Sequence, residues 1–308
     1  MFKLYKPFYR FLLIFVLLFP AATLFKSHLF RINQQFTITL GSFDTLIIGD
    51  SHAKNAFDPK YISNSINAAQ ESENIIYSFY VLNKILATNH GIKKVIVAFS
   101  YHTLGAPFAY FEPNEMMRRY HLLLPKRFYF ELSKNEGFYS PYATRFLIDI
   151  FHLPLGLIND FYEYILLKSR INSKIPYIGQ YSKLSGSKIA SKRLLRETIL
   201  RHFKHNGKIV KVSNMKVIYI RKIIDLCISK NVKLFFVTTP VHPDYFNEIP
   251  KSVIKTSDDT MNSIKKNYSI KYINLSRLNL PLNHYYDYDH LNWMGAEVFS
   301  KLINKQIE

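Results

Sequence analysis

The strongest constraint on how this chain folds is a set of short apolar runs that alternate with helix-like segments. Phe43 to Ile48 (Phe-Asp-Thr-Leu-Ile-Ile), Lys94 to Phe99 (Lys-Val-Ile-Val-Ala-Phe) and Val232 to Thr239 are six to eight residues long. Runs of that length, rich in Val, Ile and Phe, fit strands buried on both faces, as in a parallel sheet. A weaker fourth run spans Lys271 to Leu275. Helical patterns accompany them: Tyr77 to Thr88, then Met215 to Lys230 with Ile220, Ile223, Ile224 and Ile228 at helical spacing, and an amphipathic closing stretch from Trp293 to Asn304. This alternation predicts the α/β class, with a parallel sheet sandwiched by helices. Active sites in such folds collect at the carboxyl ends of the strands.

With 308 residues, 48% of them hydrophobic, the chain is long enough for one large α/β domain with an insertion. We divide it into a signal anchor at residues 1–30 and an α/β domain at 31–308, with an insertion at about 103–212. The insertion is required because about 110 residues, Tyr101 to Val212, separate the second and third runs, too many for a simple crossover. Its first half is aromatic (Phe108, Tyr110, Phe111, Tyr120), and its second half is basic. Lys168 to Lys211 holds twelve Lys and Arg against Glu197 alone, which reads as a solvated helical face or as a surface for anionic lipid or acidic glycan.

At the amino end, Lys3, Lys6 and Arg10 precede the apolar run Phe11 to Phe25, and Lys26 follows it. That is the pattern of a basic-flanked membrane segment. After Ala22 the chain runs Thr-Leu-Phe-Lys, without the small residues that signal cleavage favours. The segment is therefore expected to remain as a single membrane helix, with the domain extracytoplasmic. The 41 Lys and Arg against 22 Asp and Glu give a formal charge of +19, which favours polyanionic surroundings. Zinc-finger spacing, an RNP-like motif and a helix-turn-helix pattern are all missing from the sequence, so nucleic acid is not an expected partner. Cys227, the single cysteine, excludes an intrachain disulfide and a multi-cysteine metal site.

Two polar clusters carry the chemistry. Gly49-Asp50-Ser51-His52 follows the first strand, where a tight turn exposes a serine hydroxyl and offers its backbone N–H to an oxyanion. A serine needs a base to take its proton. Near the other end, Asp287-Tyr288-Asp289-His290 supplies a histidine with a carboxylate three residues before it, placed to hold the far ring nitrogen. Asp289, adjacent to His290, is the competing orienter, at an awkward reach. Ser51, Asp287 and His290 are thus the expected catalytic residues.

These two blocks resemble those of the SGNH/GDSL hydrolase superfamily, and Leu291-Asn292-x-x-Gly295-Ala296 is similar to the tail of bacterial membrane-anchored members linked to envelope polysaccharides. The resemblance covers about residues 42–100 and 213–308, leaving out the insertion. It implies a three-layer α/β/α sandwich and ester hydrolysis or acyl transfer, of acetyl above all, on a carbohydrate ester of an envelope or exported polysaccharide, without a cofactor. The family's second block corresponds to Asn67-Ala68-Ala69-Gln70, with Ala69 at the glycine position of the oxyanion hole. Its third block usually carries an asparagine; this chain reads Phe99-Ser100-Tyr101-His102, leaving Ser100 or His102 as donors.

Thr239 and His242, in Thr238-Thr239-Pro240-Val241-His242-Pro243 after the third strand, are further substrate-contact residues, or members of a proline-stiffened turn. His284, Asp287, Asp289 and His290 have the donor chemistry of a metal site. No third region completes it, so no metal is expected. Two readings from other classes stand beside the enzyme: a non-catalytic SGNH-like scaffold that binds glycan or partners a membrane acyltransferase, and a glycan- or lipid-binding protein that works through its basic insertion.

Overall fold

The computed structural model describes residues 40–105, 178–189 and 191–308. These belong to one compact unit, Ile38–Arg118 with Pro176–Glu308; a second unit, Met1–Thr37 with Arg119–Ile175, lies outside the described residues. The expected anchor at 1–30 and most of the insertion fall there. Among the described residues no helix is long and apolar enough to cross a membrane.

The apolar runs become strands β1 (Thr45–Ile48), β3 (Lys94–Ala98), β6 (Lys233–Thr238) and β7 (Lys271–Asn274). A fifth, β2 (Ser65–Asn67), joins them in the order β2-β1-β3-β6-β7, with every neighbouring pair parallel. At three residues and without an apolar run, β2 carries too little pattern to read from sequence. A short antiparallel pair, β4 (Lys204–His205) with β5 (Lys208–Ile209), lies apart from the sheet.

Alternation along the strands builds a core on each face. Ile47, Ile96, Phe235, Val237 and Ile273 share one cluster with Phe57, Phe299 and Ile303. The last three bring helices α1 (Ser51–Ala56) and α7 (Trp293–Ile307) onto that face. The intervening residues Leu46, Ile48, Val95, Val97 and Phe236 are fully buried as well, so the opposite face is also covered. Helices α2 (Ile75–Thr88) and α4 (Asn214–Ser229) pack on one another, α4 against β6, and their Tyr80 and Tyr219 hydroxyls meet at 2.7 Å. The remaining helices are α3 (Lys192–Phe203), α5 (Pro243–Glu248) and α6 (Lys251–Asn267).

The strand order reverses direction between β1 and its neighbours β2 and β3. A crevice opens at the carboxyl end of strands where such a reversal occurs. Ser51 follows β1 and His102 follows β3, so both fall at that opening.

Candidate active site

Ser51 is the first residue of α1. Asp50 caps the helix, its side chain accepting the His52 N–H at 3.0 Å. The turn into it requires glycine: Gly49 has φ +139°, and a Cβ there would stand 2.9 Å from Ala98 Cβ and 3.2 Å from Ala53 Cβ. The Ser51 N–H, with no intrahelical acceptor at this position, has no hydrogen-bond partner among the described residues.

The partner loop is braced from both ends. Tyr285 and Leu291 form an isolated antiparallel bridge, and Tyr286 N donates to His290 O at 2.9 Å. Asn292 caps α7, accepting the N–H groups of Met294 (3.0 Å) and Gly295 (3.3 Å), while its amide donates to Asn283 O at 2.6 Å. Gly295 lies against the His284 carbonyl so closely that a Cβ would collide with it. The Asn292 and Gly295 tail thus fixes the loop that presents Asp287 and His290.

These residues meet. His290 Nε2 lies 2.8 Å from Ser51 Oγ, and His290 Nδ1 lies 3.0 and 3.1 Å from the two Asp287 oxygens. Asp287 Oδ1 also accepts the backbone N–H groups of Asp289 (3.1 Å) and His290 (2.8 Å). Asp289 Oδ1 stands 3.7 Å from His290 Nδ1, beyond hydrogen-bond reach. Asp287 is therefore the carboxylate that holds the ring.

Burial alone would lower the His290 pKa, but the Asp289 charge, the Asp287 hydrogen bond and the Asp287 charge outweigh it and raise it to about 9. Burial opposes the Asp287 charge too; the His290 hydrogen bond and charge, with the backbone donors, hold it down at about 2. Asp289, 3% exposed, is pushed up by burial to about 6 against the pull of His290.

A cleft of about 220 Å³ opens onto Ser51 and His290, bordered by Glu71, His102, Arg201 and His202. Arg201 and His202 come from α3, inside the basic stretch that reads as a solvated face or as a surface for an anionic ligand. The His202 ring stacks on His102 with centroids 4.4 Å apart, and its Nδ1 meets the Tyr245 hydroxyl at 2.6 Å. Burial, with the charges of His102 and His52, holds His202 well below the usual histidine range. Two of the cleft's residues thus lie in a segment whose composition gives only its charge, and a lone histidine in a basic helix is the one further mark of them.

The other expected contacts sit elsewhere. The Ala69 N–H is given to Asn67 Oδ1 at 3.0 Å, and Gly179 lies against this turn, its N–H donating to Ala68 O at 3.0 Å. Ala69 does not line the cleft. The Ser100 N–H goes to Thr103 Oγ1 at 2.8 Å, and Ser100 and Thr239 border a separate cavity of about 10 Å³ behind His52. His242 caps α5, its Nδ1 accepting the Asp244 N–H at 3.2 Å, with its ring edge-on to Tyr285 and Tyr288. His102 alone of these five residues borders the cleft, and its Nε2 donates to Asp50 Oδ2 at 3.0 Å.

A family model, of an uncharacterised family, matches residues 194–308, well under half of the chain. The match takes in Arg201, His202, Asp287 and His290 but not Ser51, and that family brings no link to SGNH/GDSL hydrolases. No curated protein matches the chain.

Proposed function

We propose that this chain is a serine esterase or O-acyltransferase of the SGNH type, acting on an acyl ester, acetyl above all, of an envelope or exported polysaccharide. The observation that carries this reading is the continuous line Ser51 Oγ, His290 Nε2, His290 Nδ1, Asp287, with links of 2.8 and 3.0 Å. That line is the relay that turns a serine hydroxyl into a nucleophile. The parallel sheet with helices on both faces suits the three-layer α/β/α architecture the sequence motifs imply. The basic-flanked segment at the amino end supports a membrane-anchored, extracytoplasmic enzyme.

In this mechanism neutral His290 takes the Ser51 proton at Nε2 while Oγ bonds to the ester carbonyl carbon, whose π electrons move to oxygen. The free Ser51 N–H is positioned to receive that oxyanion. Collapse breaks the ester C–O bond, and His290 returns the proton to the departing sugar oxygen. Water or a second hydroxyl then attacks the acyl-serine, giving hydrolysis or transfer. Asp287 keeps Nδ1 protonated and stabilises the imidazolium throughout.

One observation favours a second reading. The Ala69 and Ser100 N–H groups are both engaged, so Ser51 is the one expected backbone donor left for the oxyanion. A second donor is worth about a hundredfold or more in rate. A scaffold that binds glycan or a membrane acyltransferase without turnover would need none. Fluorophosphonate labelling of the full chain in detergent separates the two, read by intact mass and peptide mapping. The enzyme reading expects one adduct at Ser51, lost in Ser51→Ala and His290→Ala. Absence of an adduct in folded wild-type protein would favour the scaffold.

A further inference from the structure

Acyl transfer leaves the imidazole beside the nucleophile without a task. His52 is 3% exposed; its Nδ1 faces Thr239 Oγ1 at 3.4 Å, and its Nε2 has no hydrogen-bond partner among the described residues. Whichever tautomer the Thr239 contact selects, Nε2 is the ring nitrogen left without a hydrogen bond. An unsatisfied buried polar atom costs roughly 1–3 kcal/mol, and folded proteins keep few of them without a purpose.

Two carboxylates flank this nitrogen's ring. Asp289 Oδ2 lies 3.7 Å from Nε2, beyond a hydrogen bond. One ligating atom each from Asp50, His52 and His102 all fall within 4.8 Å of one another, with Asp50 Oδ2 and His102 Nε2 only 3.0 Å apart. We propose that Asp50, His52 and His102 form a binding site for a divalent transition-metal ion of the zinc type.

Two imidazoles and a carboxylate are a donor set zinc favours, with the fourth position left open. Bonds of about 2.0–2.2 Å set tetrahedral ligand atoms roughly 3.3 Å apart, so the trio must close by no more than about 1.5 Å. The outer contact is in place: a ligating histidine gives its second ring N–H to an oxygen, as His52 Nδ1 is placed to do toward Thr239. The ion displaces the Nε2 proton that His102 now donates to Asp50, which leaves to solvent, and Asp289 adds a second negative charge nearby. Asp50 and His102 border the cleft, so the open coordination position faces it. His52, Asp289 and His290 also lie within 4.8 Å of one another, but His290 Nδ1 is held by Asp287, and a metal there would dismantle the relay. The site goes beyond the acyl-transfer reading and does not depend on it.

The full chain in detergent, stripped with EDTA and dialysed against dilute zinc, tests this by metal analysis and calorimetry. The expected result is one zinc per chain, retained in Ser51→Ala and weakened at least about tenfold in His52→Gln, His102→Ala and Asp50→Asn, a change that keeps a helix-capping oxygen. Thermal melts confirm that each variant is folded. X-ray absorption of the zinc-loaded wild type should count two imidazoles, which tests the site even if a variant misfolds. No stoichiometric zinc in folded wild type, equal zinc in all three variants, or a loss confined to Asp289→Asn and His290→Ala would overturn the proposal.

Discussion

Asp287→Asn changes one atom of the relay, and two opposing effects set its outcome. Asp287 Oδ1 is pinned by the backbone N–H groups of Asp289 and His290, so the asparagine oxygen stays there and the new NH2 takes the Oδ2 position, 3.1 Å from His290 Nδ1. That NH2 meets a proton on Nδ1 head-on, and the remaining acceptor, Oδ1 at 3.0 Å, is already shared by two backbone N–H donors, so the Nδ1–H tautomer loses its advantage. The proton moves to Nε2, where it points at Ser51 and leaves no base; a wrong tautomer of this kind costs about 10⁴ in rate. Against this, removing the charge lowers the His290 pKa. With a wild-type value of about 9, only about 1% of His290 is neutral at pH 7, so a full return to 6.5 would gain at most about eightyfold. The gain falls short of that, because Asp289, the larger raising influence, remains.

The tautomer effect therefore wins. The Ser51 labelling rate should fall at least about a hundredfold at pH 7 and about 10⁴-fold near pH 10, where wild-type His290 is already neutral. Stopped-time fluorophosphonate labelling across pH 6–10 measures both, and the wild-type rate should climb toward a plateau above about pH 9. A variant within tenfold of wild type near pH 10 would refute the assigned role of Asp287.

Three further outcomes follow from the packing. Gly49→Ala places a methyl 2.9 Å from Ala98 Cβ at φ +139° and should cost on the order of 2–4 kcal/mol, read as a lowered urea midpoint; an unchanged midpoint would mean the turn is not constrained. Asn292→Ala removes the α7 cap and the tie to Asn283, and should cost roughly 1–3 kcal/mol while slowing Ser51 labelling, because the same residue braces the loop that carries Asp287 and His290. His290 has a folded pKa raised from 6.5 to about 9, so its contribution to stability is complete below pH 6.5 and is lost as pH rises through 9. The stability difference between wild type and His290→Gln should thus shrink by on the order of 3 kcal/mol between pH 6 and pH 10, and a difference that grows over that range would reverse the assignment.

The amino-acid sequence by itself determined the sheet's main strands and the identity of the relay. Short apolar runs rich in Ile, Val, Leu and Phe, with charges only near their starts, write β1, β3 and β6 into local pattern, and the Gly49 turn and the Asp287-x-x-His290 spacing are properties of a few consecutive residues. What lies between such segments was decided only in three dimensions. Strand β2 is three residues whose pairing with β1 comes from register, not periodicity. Ala69 matched a motif position, yet its N–H goes to Asn67 and the chain around Gly179 covers it, a consequence of 110 intervening residues of path. His202 belongs to a basic helix that reads as solvent-facing, and it is the fold that turns that one side chain inward against His102 and Tyr245. Side-chain type and spacing fix what a residue is able to do, whereas which atoms share a cleft depends on contacts between residues far apart in the chain, and no local pattern encodes those.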